Sequence, residues 1–238
     1  MSYGYDYSLA AQAAGSERAA FIRRTYAHLA GAILAFMGIE ALLLNVVLDD
    51  QAQMLILRMM TGGFGWLFVM LAFMGASWLA QTWAQSDSSP GMQYVGLGLY
   101  VVVEAAIFLP LLIIARKFAG PSVIPTAGIL TLAVFGGLTL SVFVTRKDYS
   151  SLRPILCVGS LIALGVIVAG ILLGFNLGLF FSFAMVALMS GYILYYTSQV
   201  MLHYRTDQHV AAALALFAAV ATLFWYILRI VMATSSRD

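Results

Sequence analysis

Two acidic residues interrupt long apolar stretches of this chain. Glu104 follows Tyr100-Val-Val-Val, and Glu40 follows Phe36-Met-Gly-Ile. A charge inside a membrane-spanning helix costs about 2.5–3.5 kcal/mol, so such residues are rare and mark ion or proton pathways by default. Glu104 is therefore a candidate proton or cation site, and a protonated carboxyl that hydrogen-bonds a neighbouring helix explains it equally well. For Glu40, which lies nearer the end of its run, the structural explanation is favoured.

Hydroxyl side chains form another candidate site in a later apolar run. Ser190 and Thr197 are seven residues apart, so they lie on one face of a helix. That face could line a cavity that passes ions or protons. More often, such hydroxyls bond the backbone carbonyl one turn earlier and have no further role. The sequence alone leaves both readings open.

The residue patterns of catalysis and metal binding are missing from the sequence. No histidine stands beside a serine in a nucleophile motif, and Leu188-Met-Ser-Gly191 lacks the first glycine of GxSxG. No HExxH helix and no phosphate-binding glycine loop occur. The chain has one cysteine, Cys157, which excludes an intrachain disulfide. We expect neither an enzyme nor a bound cofactor or metal, and we expect Cys157 to be a small buried apolar residue.

The composition predicts an integral membrane protein of the all-α class. Of 238 residues, 63% are hydrophobic and 9% are charged, whereas soluble domains carry charge at about a quarter of their positions. The apolar runs reach about 20 residues, the length of a helix that spans hydrocarbon. They do not alternate in segments of about ten residues, as barrel strands do. The net charge of +2 is too small to indicate nucleic-acid binding.

Seven apolar runs predict seven transmembrane helices and no soluble domain. Their approximate bounds are 26–48, 62–84, 92–115, 122–144, 154–174, 177–202 and 210–232. The chain then divides into a polar, flexible N-terminal tail (1–24), a seven-helix transmembrane domain (25–233) and a short C-terminal tail (234–238). The first segment contains Asp6 and Glu17 and has no hydrophobic core, so it does not read as a signal peptide.

The positions of the Lys and Arg residues favour a cytoplasmic N-terminus. In that orientation seven of the twelve basic residues fall on the cytoplasmic side and five on the other, a modest bias in the direction of the positive-inside rule. The seven are Arg18, Arg23, Arg24, Arg146, Lys147, Arg153 and Arg205.

Pairs of small residues four positions apart predict close helix contacts. The pairs are Gly31 with Ala35, Gly165 with Ala169 and Gly170 with Gly174. Small side chains let helices approach closely in lipid, where no hydrophobic force drives them together. We expect packing within the chain, and dimerisation through one pair is the alternative.

Several segments, in order along the chain, resemble the Bax inhibitor/YccA family. Phe21-Ile-Arg-Arg-Thr-Tyr26 is similar to the start of the family's first span, and Glu104 stands where the family carries a third-span glutamate. The segment TLAVFGGLTLSVFVTRKDYSSL, residues 131–152, is the most specific. Further similar segments are 191–198, 214–230 and the ending Ser235-Ser-Arg-Asp238, which looks like the YccA branch.

The resemblance implies a seven-helix bundle in which the last helix is central. In calcium-leak members, two aspartates of spans six and seven share a proton and gate a pore on the cytoplasmic side. Close carboxylates that share a proton titrate as a pair and so sense pH. The matching residues here are Tyr196 and Ala219. Because tyrosine titrates near 10 and alanine does not titrate, we expect that this gate does not operate in this chain.

The resemblance to the YccA branch also implies a location and a partner. YccA-type proteins are bacterial inner-membrane proteins that associate with the FtsH protease and modulate its action on membrane substrates. The implied environment is the lipid bilayer of a bacterial inner membrane, and the implied partner is an FtsH-type AAA protease, with residues 1–24 as a candidate handle. The alternative is a leak or transporter for calcium or protons that uses Glu104.

Overall fold

Helices make up almost all of the described chain. The computed structural model describes residues 9–60, 63–84 and 90–235, without the side chains of 59–60, 63–68 and 90. The helices are α1 (Gly15–Leu42), α2 (Asp50–Met60), α3 (Gly63–Ala84), α4 (Pro90–Ile114), α5 (Val123–Thr145), α6 (Arg153–Leu173), α7 (Gly178–Leu202) and α8 (His209–Ser235). Short π-helical turns follow α1 and α4, at Leu43–Val47 and Ala115–Ala119. These ranges contain no β-strand, which confirms the all-α prediction.

Six helical stretches are long and apolar enough to cross a membrane. They are Gly15–Val47, Gly91–Ala119, Val123–Thr145, Ser150–Leu173, Gly178–Leu202 and His209–Ser235, a count made over the described residues. In such helices the backbone N–H and C=O groups hydrogen-bond to one another, because hydrocarbon offers them no partner. The chain is therefore a multi-pass membrane protein. Helix α3 has 22 residues and coincides with the predicted run 62–84.

The last helix, α8, is the most buried of the six. In its most apolar stretch 72% of the residues are buried inside the protein, against 17–50% in the other five. It contacts α1, α3, α4, α5 and α7. The buried residues include the alanines 211–213, 219 and 221, whose small side chains let several helices come close to one axis.

A short helix, α2, is absent from the seven predicted runs and lies between the first two. The Asp49 carboxylate caps its start by accepting a hydrogen bond from the Ala52 backbone N–H at 2.7 Å. The Gln53 amide donates to the carbonyls of Leu48 and Leu44, at 2.9 and 3.3 Å, and so bonds the end of the first span. With 11 residues, α2 is too short to cross a bilayer.

The N-terminal segment differs from the predicted flexible tail 1–24. Helix α1 already begins at Gly15, and the residues before it pair with the α7–α8 connection. The Ala10 N–H donates to the Tyr204 carbonyl at 2.9 Å, and Thr206 Oγ1 donates to Glu17 Oε1 at 2.6 Å. Polar composition does not reveal such long-range pairing. Residues 1–8 lie outside the described part of the chain.

The C-terminal boundary and Cys157 also differ from the predictions. Helix α8 continues to Ser235, so the predicted tail 234–238 starts within the helix; residues 236–238 lie outside the described range. Cys157 is exposed on α6, not buried. Only 17% of the apolar stretch of α6 is buried inside the protein. In a uniformly apolar membrane helix, the sequence does not show which side faces lipid and which side faces protein.

A polar network joins the α5–α6 connection to the end of α7. Asp148 Oδ2 lies 3.0 Å from His203 Nε2, and Asp148 Oδ1 accepts hydrogen bonds from the Ser150 hydroxyl and N–H, at 2.5 and 2.8 Å. The Gln199 amide donates to Ser150 Oγ at 2.9 Å. The bonds from Ser150, above all its hydroxyl, hold the pKa of the Asp148 carboxyl below its usual value. The network therefore holds this charged connection against α7.

Gly96 marks a close contact between α3 and α4 and provides a test of the packing. A Cβ at Gly96 would lie 2.6 Å from the Ala80 carbonyl oxygen and 2.6 Å from the Ala84 nitrogen. Because these are backbone atoms, they cannot rotate away, and overpacking typically costs about 1–3 kcal/mol. Gly96→Ala should therefore lower the melting temperature of the purified protein in detergent. Gly98→Ala is the control, since a Cβ there meets nothing within 4 Å. Identical melting of the two variants would contradict the contact.

Asp148→Asn should destabilise the protein at neutral pH and lose this effect in acid. A carboxylate whose pKa is lowered on folding stabilises the folded state above its unfolded pKa of about 3.9, and the effect disappears as the pH falls through the lower folded pKa. The difference in melting temperature from wild type should be small, because Asp148 is exposed. It should shrink between about pH 5 and pH 2. A difference that is constant over this range would contradict the role of the carboxylate.

Candidate functional site

Glu104 is buried where α4 meets α3 and α8. Its side chain is 3% exposed. Tyr100, one turn earlier, interacts with the Glu104 carboxyl through its hydroxyl and also faces Ser77 of α3. Glu104 Oε2 has no hydrogen-bond partner among the described residues, and no described cationic side chain pairs with the carboxyl. Glu104 is thus an acid within the bundle whose hydrogen-bonding capacity is only partly used.

Glu40 is buried in α1, one turn from an aromatic contact between α1 and α4. Phe36 of α1 contacts Phe108 of α4 edge to face, with ring centroids 5.1 Å apart. Glu40 lies one turn beyond Phe36 and Glu104 one turn before Phe108. Neither oxygen of Glu40 has a hydrogen-bond partner in the described structure. Neither carboxyl is among the groups that interact with the other, so the two acids are not arranged as a pair that shares a proton.

Aromatic side chains of α8 extend this contact. Phe108 stacks on Phe224 with centroids 5.7 Å apart, and it meets Trp225 edge to face at 4.9 Å. We call Phe36, Phe108, Phe224 and Trp225 the aromatic layer. The layer packs α1, α4 and α8 together, one turn from each of the two acids.

The hydroxyls of Ser190 and Thr197 have different surroundings and do not line a common site. Ser190 donates to the Val186 carbonyl one turn earlier, at 2.7 Å, which is the structural alternative expected for it. Thr197 is fully buried, and its hydroxyl faces those of Tyr26 of α1 and Thr139 of α5. None of these three hydroxyls has a hydrogen-bond partner among the described residues.

This hydroxyl cluster, formed by Tyr26, Thr139 and Thr197, lies at the junction of α1, α5 and α7. Its oxygens come together from three helices, the arrangement in which a buried water is bound. From sequence, only Thr197 was a candidate. Tyr26 and Thr139 could not be found in the same way, because nothing in their local sequence indicates that they meet.

Uncharged side chains, those of Tyr196 and Ala219, fill the two positions that the resemblance assigns to the family's aspartate pair. The Tyr196 ring stacks on Tyr192, with centroids 5.6 Å apart, and packs against Tyr195 at 5.2 Å. Ala219 of α8 is 4% exposed. A cavity of about 220 Å³ adjoins the tyrosines and is lined by Tyr195, Tyr196, Gln199, His203, Tyr204 and Gln208. Burial raises the pKa of Tyr204 to about 12, so this phenol stays neutral at physiological pH.

The histidine at this cavity meets a serine and a carboxylate, but not in the order of a hydrolase triad. His203 Nε2 lies 3.0 Å from both Ser150 Oγ and Asp148 Oδ2. In a triad the carboxylate accepts a hydrogen bond from one ring nitrogen of the histidine, and the second ring nitrogen takes the proton of the serine hydroxyl. Here both partners meet the same nitrogen, and the Ser150 hydroxyl is bonded to Asp148 itself. The arrangement binds the loop to α7 and provides no relay.

A groove between α1 and α4 opens on the outside of the bundle. It has a volume of about 630 Å³, and its walls include Gly31 and Ala35 of α1 and Gly98 and Val102 of α4. Gly31 and Ala35 are exposed, so the predicted packing of this pair within the chain is wrong. Gly170, in contrast, packs within the chain as expected, because a Cβ there would lie 3.2 Å from a Leu177 methyl group.

Comparison with known proteins identifies the family of the chain. The profile of the family described as "Inhibitor of apoptosis-promoting Bax1", the Bax inhibitor family, matches residues 18–237. The match includes all eight described helices almost entirely, and it includes Glu40, Glu104, Tyr196 and Ala219.

Bacterial proteins are among its relatives. An uncharacterized protein of Pseudomonas aeruginosa is 28% identical over 211 residues, which cover 88% of this chain and 87% of the relative. Two uncharacterized proteins of Neisseria meningitidis, from serogroups A and B, are each 30% identical over 127 residues, about half of either chain (50% and 52%). The family match over nearly the whole length and the multi-pass helical fold lead to one conclusion: the chain belongs to the Bax inhibitor family of membrane proteins.

Proposed function

We propose that this chain is a non-conducting regulatory membrane protein of the YccA type, which associates with an FtsH-type membrane protease. The proposal rests on the resemblance, which assigns the positions of the gating aspartates to Tyr196, here packed against two tyrosine rings, and to the buried Ala219. A shared-proton gate requires two carboxylates in contact. Neither residue can hold such a proton, so the pH-gated leak lacks its gate. A binding role remains, and the resemblance to the YccA branch names the partner.

The proposal includes a topology in the bacterial inner membrane. The N-terminus is cytoplasmic and α8 is the central helix. Helix α3 also crosses the membrane, which brings the six stretches described above to seven. The length of α3 and the burial of α8 support this arrangement. Contacts of Glu17 with Thr206 and of Asp148 with His203 bring the N-terminal segment and two connections to one side of the bundle. The same side carries the excess of Lys and Arg that the positive-inside rule places in the cytoplasm.

This cytoplasmic side offers a surface on which a protease could dock. The backbone pairing of Ala10 with Tyr204 and the Asp148 network connect its segments to one another. Most interfaces with pre-organised partners form with little backbone movement. Residues 9–14 belong to this surface, so the candidate handle 1–24 is in part a docked element.

Co-purification tests the association with the protease. The full chain, carrying an affinity tag and expressed in bacterial membranes, should capture the FtsH-type protease of the same cell after mild crosslinking. Deletion of residues 1–16 should reduce capture several-fold, because it removes both the candidate handle and the docked segment. Thr206→Val, which removes only the hydrogen bond to Glu17, is the matched control and should retain capture.

Two results would contradict these expectations separately. Capture by the deletion variant equal to that of the full chain would eliminate the handle. Absence of the protease from the full-chain sample, with a known partner of the protease captured in parallel, would eliminate the proposed association.

A cation leak through the bundle is the second candidate, and Glu104 is the observation that favours it. An intramembrane acid without a cationic partner is by default a sign of an ion or proton path. The aromatic layer argues against an open path in this conformation, because Phe108 packs against Phe36 and Trp225 directly beyond Glu104. Conduction would thus require these rings to move.

Ion flux into proteoliposomes discriminates between the two functions. The non-conducting proposal predicts that calcium and proton flux with the purified protein equals that of empty vesicles. The leak predicts flux above this level that falls at least several-fold in Glu104→Gln, a substitution that keeps the shape of the side chain. Glu17→Gln, an acid at the membrane surface, is the control. Flux that is the same in wild type and Glu104→Gln would remove Glu104 from any leak.

A further inference from the structure

We propose that the groove between α1 and α4 binds an anionic phospholipid, with an acyl chain along its apolar walls and the phosphate at its cytoplasmic end. The groove volume of about 630 Å³ lies within the range of about 300–1,000 Å³ that is typical of small-molecule sites. The inference rests on the membrane topology and is independent of whether the protein conducts ions or binds a protease.

The apolar part of the groove exists because three residues leave space between two helices. A Cβ at Gly31 or at Gly98 would meet nothing within 4 Å, and Ala35 is exposed beside them. Small residues of this kind usually mark a contact with another helix. No described helix covers this surface, so within a bilayer the groove is open to acyl chains.

One end of the groove is polar, as an amphipathic ligand requires. His28 and Tyr94 line this end, and His209 of α8 completes it. The His28 and His209 rings are 5.0 Å apart between centroids, and the Tyr94 hydroxyl lies 3.3 Å from His209 Nε2. Hydrogen-bonding groups from three helices thus converge where the headgroup would lie.

The charge around this end selects an anion. Arg24 lies one turn before His28 on α1 and interacts electrostatically with His209, and Arg23 is exposed next to it. Neither arginine has a carboxylate partner within the described ranges. The nearby acid Asp207 is engaged by Arg205 at 2.6 Å.

This excess of positive charge at one end of an apolar groove fits a phospholipid phosphate. Basic pockets between transmembrane helices on the cytoplasmic side bind anionic headgroups. Each Lys or Arg near the membrane surface adds to the affinity for the anionic lipid. In the proposed topology the phosphate would come from the cytoplasmic leaflet.

Lipid-dependent stabilisation of the purified full chain in detergent tests the site. Phosphatidylglycerol should raise the melting temperature in a saturable way, and phosphatidylcholine with the same acyl chains should do so less. Arg24→Gln should weaken the apparent affinity for phosphatidylglycerol about fivefold. Gly98→Leu, which fills the groove, should abolish the difference between the two lipids. Gly137→Leu is the control, because Gly137 of α5 is also exposed and has nothing within 4 Å.

Several outcomes would overturn the proposal. One is equal stabilisation by the two lipids, and another is an unchanged preference in Gly98→Leu. Should that variant not fold, Gly31→Leu fills the groove from the opposite wall and carries the same expectation. A dimer that Gly98→Leu converts to a monomer, without any lipid preference in the wild type, would assign the groove to a second copy of the chain.

Discussion

Hydrocarbon offers no hydrogen-bond partner, and this constraint governs every level of the structure. Each span has to satisfy its own backbone, which makes the described bundle helical throughout. The helices cannot be held together by a hydrophobic force, so close contact between small residues takes that role. Gly96 against the backbone of α3 and the buried alanines of α8 are its clearest instances. The same constraint makes every buried polar atom without a partner a feature that requires an explanation.

Such atoms are few among the described residues, and they fall into separate groups. Glu104 and Glu40 lie on different helices, each one turn from the aromatic layer, and the hydroxyl cluster lies at the junction of α1, α5 and α7. A continuous polar path would need these groups to connect. Rings of Phe36, Phe108 and Trp225 pack beside the two acids, and tyrosine rings pack around Tyr196. This packing supports the proposed non-conducting role.

Much of the fold can be read from the sequence, because run length and turn residues determine membrane spans. The predicted run 122–144 differs by one residue at each end from α5, Val123–Thr145. Features that depend on tertiary contact could not be read in this way. The pairing of Ala10 with Tyr204 joins residues almost 200 positions apart in the chain. The exposure of Cys157, and the open groove at Gly31, depend on which side of a uniformly apolar helix meets protein. Of the candidate site, the sequence identifies the two acids but not the aromatic layer that packs beside them.

The central claim of the proposal is that the two positions that the resemblance assigns to the family's gating aspartates form no titrating gate in this chain. The pH dependence of ion flux through the purified protein in proteoliposomes, measured between about pH 5 and pH 8, tests it most directly, because close carboxylates that share a proton titrate as a coupled pair. With Tyr196 and Ala219 at the two positions, we predict no steep step in this range. A sharp, carboxylate-like transition that disappears when Tyr196 is substituted would contradict the account.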